Sequence, residues 1–440
     1  MNIYREIERM KFASKIAMSL TLALGGVSLI AIQPATAKKH EAEAAPQQAA
    51  KPGQDYVLTP AVRTAAGEAQ AAIKANDLAT AVAKLDAAKA AMATDDDKYV
   101  VGSLGYDLSI AKQDQTLQNQ SIDLMLGSGK VNQRMSQDTI WQLYVNQSQL
   151  AYDAGQFRKT EFDIEQALKI ENANNTQLYP MLVEAKAKLN KPAEAIAALE
   201  TGIQKMQATN QAVPESWLKR GVALAYNAKL QPETIKLCQQ WIASYPTNDS
   251  WRTSLQIYRD FNRTLDGDAT LDLFRLMRAV GALSAESEYL LYAQPLYIGY
   301  PIEAETVLKE GIQKKVLSAT DTTVSKWLST ARLKVAAEKA DLAKAVARDS
   351  KAATGKDAFT DGTLALGAGD YSLAINLFTI AKSKSGVDND LTTLRLGMAQ
   401  ALAGQKDAAK ATLATVQGSR APIAQFWSIY ADTHVATPAA

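Results

Sequence analysis

One cysteine and two histidines are all that 440 residues offer of the side chains that most often bind metals or pair as nucleophile and base. The single thiol, Cys238, rules out an internal disulfide and a cysteine-built metal cluster. His40 and His434 lie near opposite ends of the chain, where neither is placed to act as general base for a rigid partner. Charge of one sign is lacking too. Forty-eight basic residues stand against 46 acidic ones, so no broad field exists to hold nucleic acid or an anionic membrane. No alternation of Val, Ile, Thr and aromatic residues persists, which excludes a sheet as the main architecture. Beyond residue 32 there is no apolar run of membrane length. With 47% hydrophobic residues, 23 Gly and 13 Pro, the chain is still too apolar for disorder and too poor in breakers for a collagen-like rod.

What is present begins with an export signal. Arg5, Arg9, Lys11 and Lys15 precede the apolar run from Ile16 to Ile32, and Ala35-Thr36-Ala37 supplies a small-x-small cleavage site. That order predicts a signal peptide over 1–37, with Met10 as an alternative start. The run, interrupted by Gly25-Gly26, sits at the lower limit for spanning a bilayer, so an uncleaved anchor is the alternative. Cleavage removes 4 basic and 2 acidic residues and leaves a formally neutral chain. The expected compartment is the periplasm, with no membrane span after cleavage. An exported chain of this length without disulfides needs a large non-covalent core. Residues 38–59 are rich in Ala, Gln, Glu, Pro and Lys without apolar period and read as a flexible linker.

From about Pro60 onward the sequence is alanine-rich and periodic at helical spacing, which predicts an all-α fold. One pattern recurs. A turn containing Gly, Asn or Pro is followed by a small residue, a large apolar one four later, and usually a small one three after that. Asn76-Asp77-Leu78 leads to Ala81, Leu85 and Ala88; Gly155-Gln156-Phe157 leads to Thr160, Ile164 and Ala167. Asn190-Lys191-Pro192 leads to Ala195, Leu199 and Gly202, and Gly299-Tyr300-Pro301 to Ala304, Leu308 and Gly311. Gly369-Asp370 leads to Ala374, Phe378 and Ala381; Gly404-Gln405 leads to Ala409, Leu413 and Val416. Segments 192–205 and 301–314 also agree at eight of fourteen positions, the mark of internal duplication. Residues three and four apart share one helix face, so the small residues admit a neighbouring helix while the large one fills the gap.

The upstream helices carry Tyr144, Tyr179, Trp217 with Gly221, and Leu396-Gly397, and Thr234, Cys238, Trp241 and Pro246 fall in order after Trp217. On these landmarks the chain resembles the tetratricopeptide-repeat family. The resemblance implies a right-handed α-solenoid of about ten antiparallel helix hairpins over 60–420, with a C-terminal capping helix and tail over 421–440. Ile423, Phe426, Trp427 and Tyr430 mark that last helix. Residues 249–283 and 321–354 lack the landmarks, so repeat boundaries there stay open. In the family the concave surface holds an extended peptide or a partner helix, which implies an adaptor for an envelope or secreted protein. Tyr152, Tyr226, Tyr289 and Tyr297 fall on the side expected to face the groove, where tyrosine offers area and a polar tip; packing between repeats is the alternative for each. Better-known members clamp a peptide's terminal carboxylate with Lys and Asn. No such set recurs here, although Lys219 and Arg220 lie in a suitable helix.

No catalytic constellation, cofactor or metal site is expected. Gly127-Ser128-Gly129-Lys130 lacks the first glycine and the final Ser or Thr of a phosphate loop. Ser109 and Lys112 have acyl-transferase spacing but no companion motif. Asn262 with Asp266-Gly267-Asp268 lacks the closing carboxylate of a calcium loop, and Asp268 reads as a helix cap. Glu215-Ser216 and Glu286-Ser287 lack the surroundings of an envelope-glycan enzyme; such an enzyme, or an accessory carrier for envelope glycan, is the alternative class, and a self-assembling structural solenoid is the third.

Overall fold

The structure is a computed structural model that describes residues 56–434. The expected signal peptide over 1–37, the expected linker as far as residue 55, His40 and the tail beyond His434 lie outside the described residues. Among the described residues the chain is helical throughout, with no strand. It divides into two compact units at residues 212 and 213.

The N-terminal unit runs α1 (Pro60–Lys74), α2 (Leu78–Ala90), α3 (Asp95–Lys112), α4 (Gln115–Gly127), the short α5 (Val131–Arg134), α6 (Gln137–Asp153), α7 (Phe157–Leu168), α8 (Tyr179–Lys188) and α9 (Pro192–Ala208). Helices α1 and α2, α3 and α4, α6 and α7, and α8 and α9 pack along their lengths as consecutive pairs. The C-terminal unit runs α10 (Glu215–Asn227), α11 (Gln231–Ser244), α12 (Asn248–Phe261), α13 (Gly267–Ala279), α14 (Glu286–Ala293), α15 (Pro301–Gln313), α16 (Thr322–Leu342), α17 (Ala345–Asp349), α18 (Lys356–Ala368), α19 (Tyr371–Lys382), α20 (Asn389–Leu402), α21 (Lys406–Leu413) and α22 (Ala421–Thr433). Its tightest pairs are α10 with α11, α15 with α16, α18 with α19, α19 with α20, and α20 with α21.

Most of the tight turns share one construction. The first helix gives way to a residue with positive φ, among them Asn76, Gly155, Asn190, Lys229, Gly369 and Gly404. The next amide reaches back five residues, from Asp77 to the Ala72 carbonyl at 2.9 Å, from Asp370 to Ala365 at 3.0 Å and from Gln405 to Gln400 at 2.9 Å. This closure satisfies carbonyls that the ending helix leaves open, and Gly or Asn adopts it at least cost. Asp77 and Asp370 then cap the following helix through the amides of Thr80 and Leu373, both at 3.1 Å. The turn before α15 differs: Gly299 has no positive φ, and the Tyr300 amide bonds to Leu296 at 2.7 Å.

Every member of the six small-large-small triads is buried. The packing reason is visible at Gly397 in α20, where an added Cβ would lie 2.5 Å from Cγ of Leu413 in α21. Thr234, Cys238 and Trp241 in α11 are buried in the same way, and α11 ends at Ser244, two residues before Pro246. The two stretches without landmarks resolve differently. Residues 249–283 hold α12 and α13, which touch each other little, and 321–354 hold the long α16 and the short α17.

The C-terminal unit closes on itself. An open stack of hairpins keeps its last helix away from its first ones, yet α22 packs on α11 and α13 as well as on α20 and α21. Phe426 meets Tyr258 edge-on with centroids 5.5 Å apart, and Gln425 bonds Gln239 at 2.9 Å. Arg395 of α20, fully buried, donates to Asp268 at 2.6 Å and to Asp272 at 3.1 Å, both on α13. A buried guanidinium is tolerated only when it is paired and hydrogen-bonded in this manner.

Candidate functional site

Two concavities in the C-terminal unit bring functional side chains together. The first is an outer groove. On α12, Trp251, Leu255 and Tyr258 recur at spacings of four and three and turn to the core. Arg252 and Arg259, seven apart on the same helix, and Arg263 just beyond its end share another face. With α13 and α14 they frame an open groove of ≈ 480 Å³, floored by Leu265, Leu273, Phe274 and the half-exposed Leu291. The Arg259 guanidinium lies 5.0 Å from the Phe274 ring centroid, close enough for the ring face to attract the cation. Arg252 donates to the Ala282 carbonyl at 2.7 Å. Glu288 stands 3.8 Å from Arg252 and 3.7 Å from Arg259, but its Oε2 already accepts the amides of Ser284 and Ala285 at 3.0 and 3.1 Å. Arg263 pairs with Asp260, which also accepts the Tyr226 hydroxyl; these two bonds hold the Asp260 carboxyl below its usual range. Three guanidiniums therefore face two carboxylates, both in use.

The second is an inner cavity of ≈ 280 Å³ lined from α13, α14, α15, α18, α19, α20 and α22. At its deep end Arg275 grips Glu303 with Nε and Nη2 at 2.9 and 2.6 Å and reaches Asp272 with Nη1 at 2.9 Å. The Tyr292 hydroxyl donates to Glu303 at 2.8 Å. Burial alone would raise the Glu303 carboxyl, but the charge and hydrogen bonds of Arg275, with the Tyr292 hydroxyl, bring it below the usual range. Gly367 makes room for this carboxylate, since a Cβ there would stand 2.5 Å from its Oε2. Nearer solvent, Arg278 Nε donates to Glu310 at 2.7 Å, and Lys314 and the Tyr289 hydroxyl reach the same carboxylate at 2.8 and 3.0 Å. Tyr371 and Tyr430 complete the rim.

The four tyrosines singled out by spacing do not assemble into one surface. Tyr226 and Tyr289 are fully buried, and their hydroxyls reach Asp260 and Glu310. They support the groove and the cavity from behind, through the carboxylates they hold. Tyr297, half-buried, stacks on Trp327 with centroids 5.3 Å apart, and Tyr152 meets Phe157 edge-on at 5.6 Å in the N-terminal unit. Arg252, Arg259, Arg263 and Arg278 escape sequence reasoning because they lie in 249–283, where the repeat landmarks fail. Their one signal is the spacing of Arg252, Arg259 and Arg263 along a single helix face.

The weak motifs find ordinary places. Ser109 is buried and donates to the Tyr106 carbonyl at 2.6 Å, while Lys112 lies 3.8 Å from Asp114. Gly127 ends α4, and Lys130 lies 3.4 Å from Asp96. The cap of α13 is Asp266, which accepts the Ala269 amide at 2.7 Å, and not Asp268, whose carboxylate is taken by Arg395. Cys238 is buried, and burial pushes its thiol up to about 12. Among the described residues no group of three or more His, Cys, Asp or Glu side chains could hold a metal ion, and no helix is long and apolar enough to cross a membrane. No family model matches the chain, and no curated protein matches it.

Proposed function

We propose that this chain is an exported, tetratricopeptide-like α-solenoid protein that acts in the periplasm as a scaffold holding a peptide or partner protein, and not as an enzyme. In this reading the hairpins of each unit stack in the right-handed sense of the family, and the C-terminal unit is a closed variant of that stack. The observation that carries the binding role is the outer groove. Its arginine wall and exposed apolar floor at Leu291 suit a segment bearing carboxylates beside an apolar side chain, since guanidinium forks pair with carboxylates and excluded water rewards the apolar contact. Tyr226 supports the wall by fixing Asp260, the carboxylate that pairs with Arg263. The chain carries no broad field, so recognition rests on these short-range contacts instead of long-range steering.

The test is affinity capture from a periplasmic extract with the native chain and with an Arg252→Glu, Arg259→Glu double variant. The expected result is a defined partner whose recovery falls about tenfold or more in the variant, since one reversed contact at a desolvated charge pair costs 2–5 kcal/mol. Equal recovery by both chains removes the groove from the account.

A further inference from the structure

The inner cavity shares no lining residue with the outer groove, and its polar atoms divide into two sets. At the deep end both carboxylates are hydrogen-bonded: Glu303 takes two N–H groups of Arg275, and Asp272 takes a third and is also reached by Arg395. At the mouth the matching is incomplete. Arg278 gives only Nε to Glu310, and its two terminal nitrogens hold no hydrogen bond among the described residues. Glu310 also serves Lys314, so at the mouth two cations share one carboxylate. The hydroxyls of Tyr371 and Tyr430 likewise have no hydrogen-bond partner among the described residues. Arg278, Tyr371 and Tyr430 all line this one cavity, so the unused donors open onto a common space. The remaining wall is apolar, from Ala279, Leu366 and Leu402.

Unused donors ask for an acceptor, and a guanidinium with two free terminal nitrogens fits a planar pair of oxygens best. The carboxylates of Glu303 and Glu310 repel a second negative charge, which disfavours dianionic phosphate monoesters. We propose that this cavity binds a small monocarboxylic acid with a short apolar tail. The acid's carboxylate spans the terminal nitrogens of Arg278 and the hydroxyls of Tyr371 and Tyr430, while its tail lies against Leu366 and Leu402. A cavity of ≈ 280 Å³ suits a group of this size.

Calorimetric titration of the mature chain with hexanoate and phenylacetate tests this, with hexanamide, phenylacetamide and a capped tripeptide ending in a free carboxylate as comparisons. The acids should bind, and the amides should bind about tenfold more weakly or not at all, because the charge-assisted bonds are lost. Arg278→Ala should weaken the acids by about tenfold or more, and Tyr371→Phe and Tyr430→Phe by roughly threefold to tenfold each. The two phenylalanine variants keep the rings, so their melting temperatures should match the native chain even if Arg278→Ala folds poorly. Binding of the tripeptide alone would assign the site to peptide ends and overturn the proposal. So would equal affinity for acids and amides, acid binding unchanged in both phenylalanine variants, or no binding of either acid.

Discussion

Asp163 is the carboxylate least satisfied in the N-terminal unit. It is buried on α7, neither oxygen has a hydrogen bond, and Lys159 lies 3.7 Å away. Burial pushes its carboxyl up to about 7, with Lys159 pulling down and Asp123 pushing up. A carboxyl with a raised folded value binds more protons when folded. Its contribution is therefore fully present below its ordinary value of 3.8 and is lost as pH rises through about 7. Between pH 4 and pH 8 the native chain should lose about 1–3 kcal/mol from this group. Asp163→Asn should remove that slope, read as the difference between the two chains in urea midpoint against pH; parallel profiles would contradict it. The position was partly legible, since Asp163 adjoins the buried Ile164 of the repeat pattern, but the missing partner was not. The same limit applies to Tyr226. Its aromatic spacing was visible, whereas the partner that decides its role, Asp260, lies 34 residues away in the chain.

Elements were legible where the determinants are local. The Gly or Asn at a turn, the capping Asp and the small residue at the helix crossing all fall within a dozen positions, and the structure buries every triad so predicted. Where local landmarks fail, other forces decide. Helix α13 is capped by Asp266 because Asp268 is drawn into the pair with Arg395. Helix α22 was visible as an apolar helix, but its contacts with α11 and α13 were not, because they join residues up to 186 positions apart. These contacts make it more than a cover for the last hairpin. Ile423 and Phe426 are fully buried, worth roughly 1.5–3 kcal/mol each, with Trp427 adding to them. Deleting residues 421–440 should lower the melting temperature of the C-terminal unit, give it dye-binding apolar surface and promote aggregation. An unchanged calorimetric trace would show that the closure adds nothing.

At the scale of the whole molecule the feature that matters is how little is left for long-range attraction. Basic and acidic residues nearly balance over the full sequence, and most charges on the described surface are paired with neighbours along or between helices. Local excess of one sign then stands out, and it falls in the outer groove beside an exposed leucine. The claim that this groove seats a partner is tested most directly by a photo-reactive amino acid at Gln256, which lines it, against the same probe at the exposed Asp407. After irradiation in cells of the native organism the account predicts one adduct of defined mass at position 256 that disappears when Arg252 and Arg259 are reversed, and none at 407. No adduct at 256, or the same adduct from both positions, would contradict it.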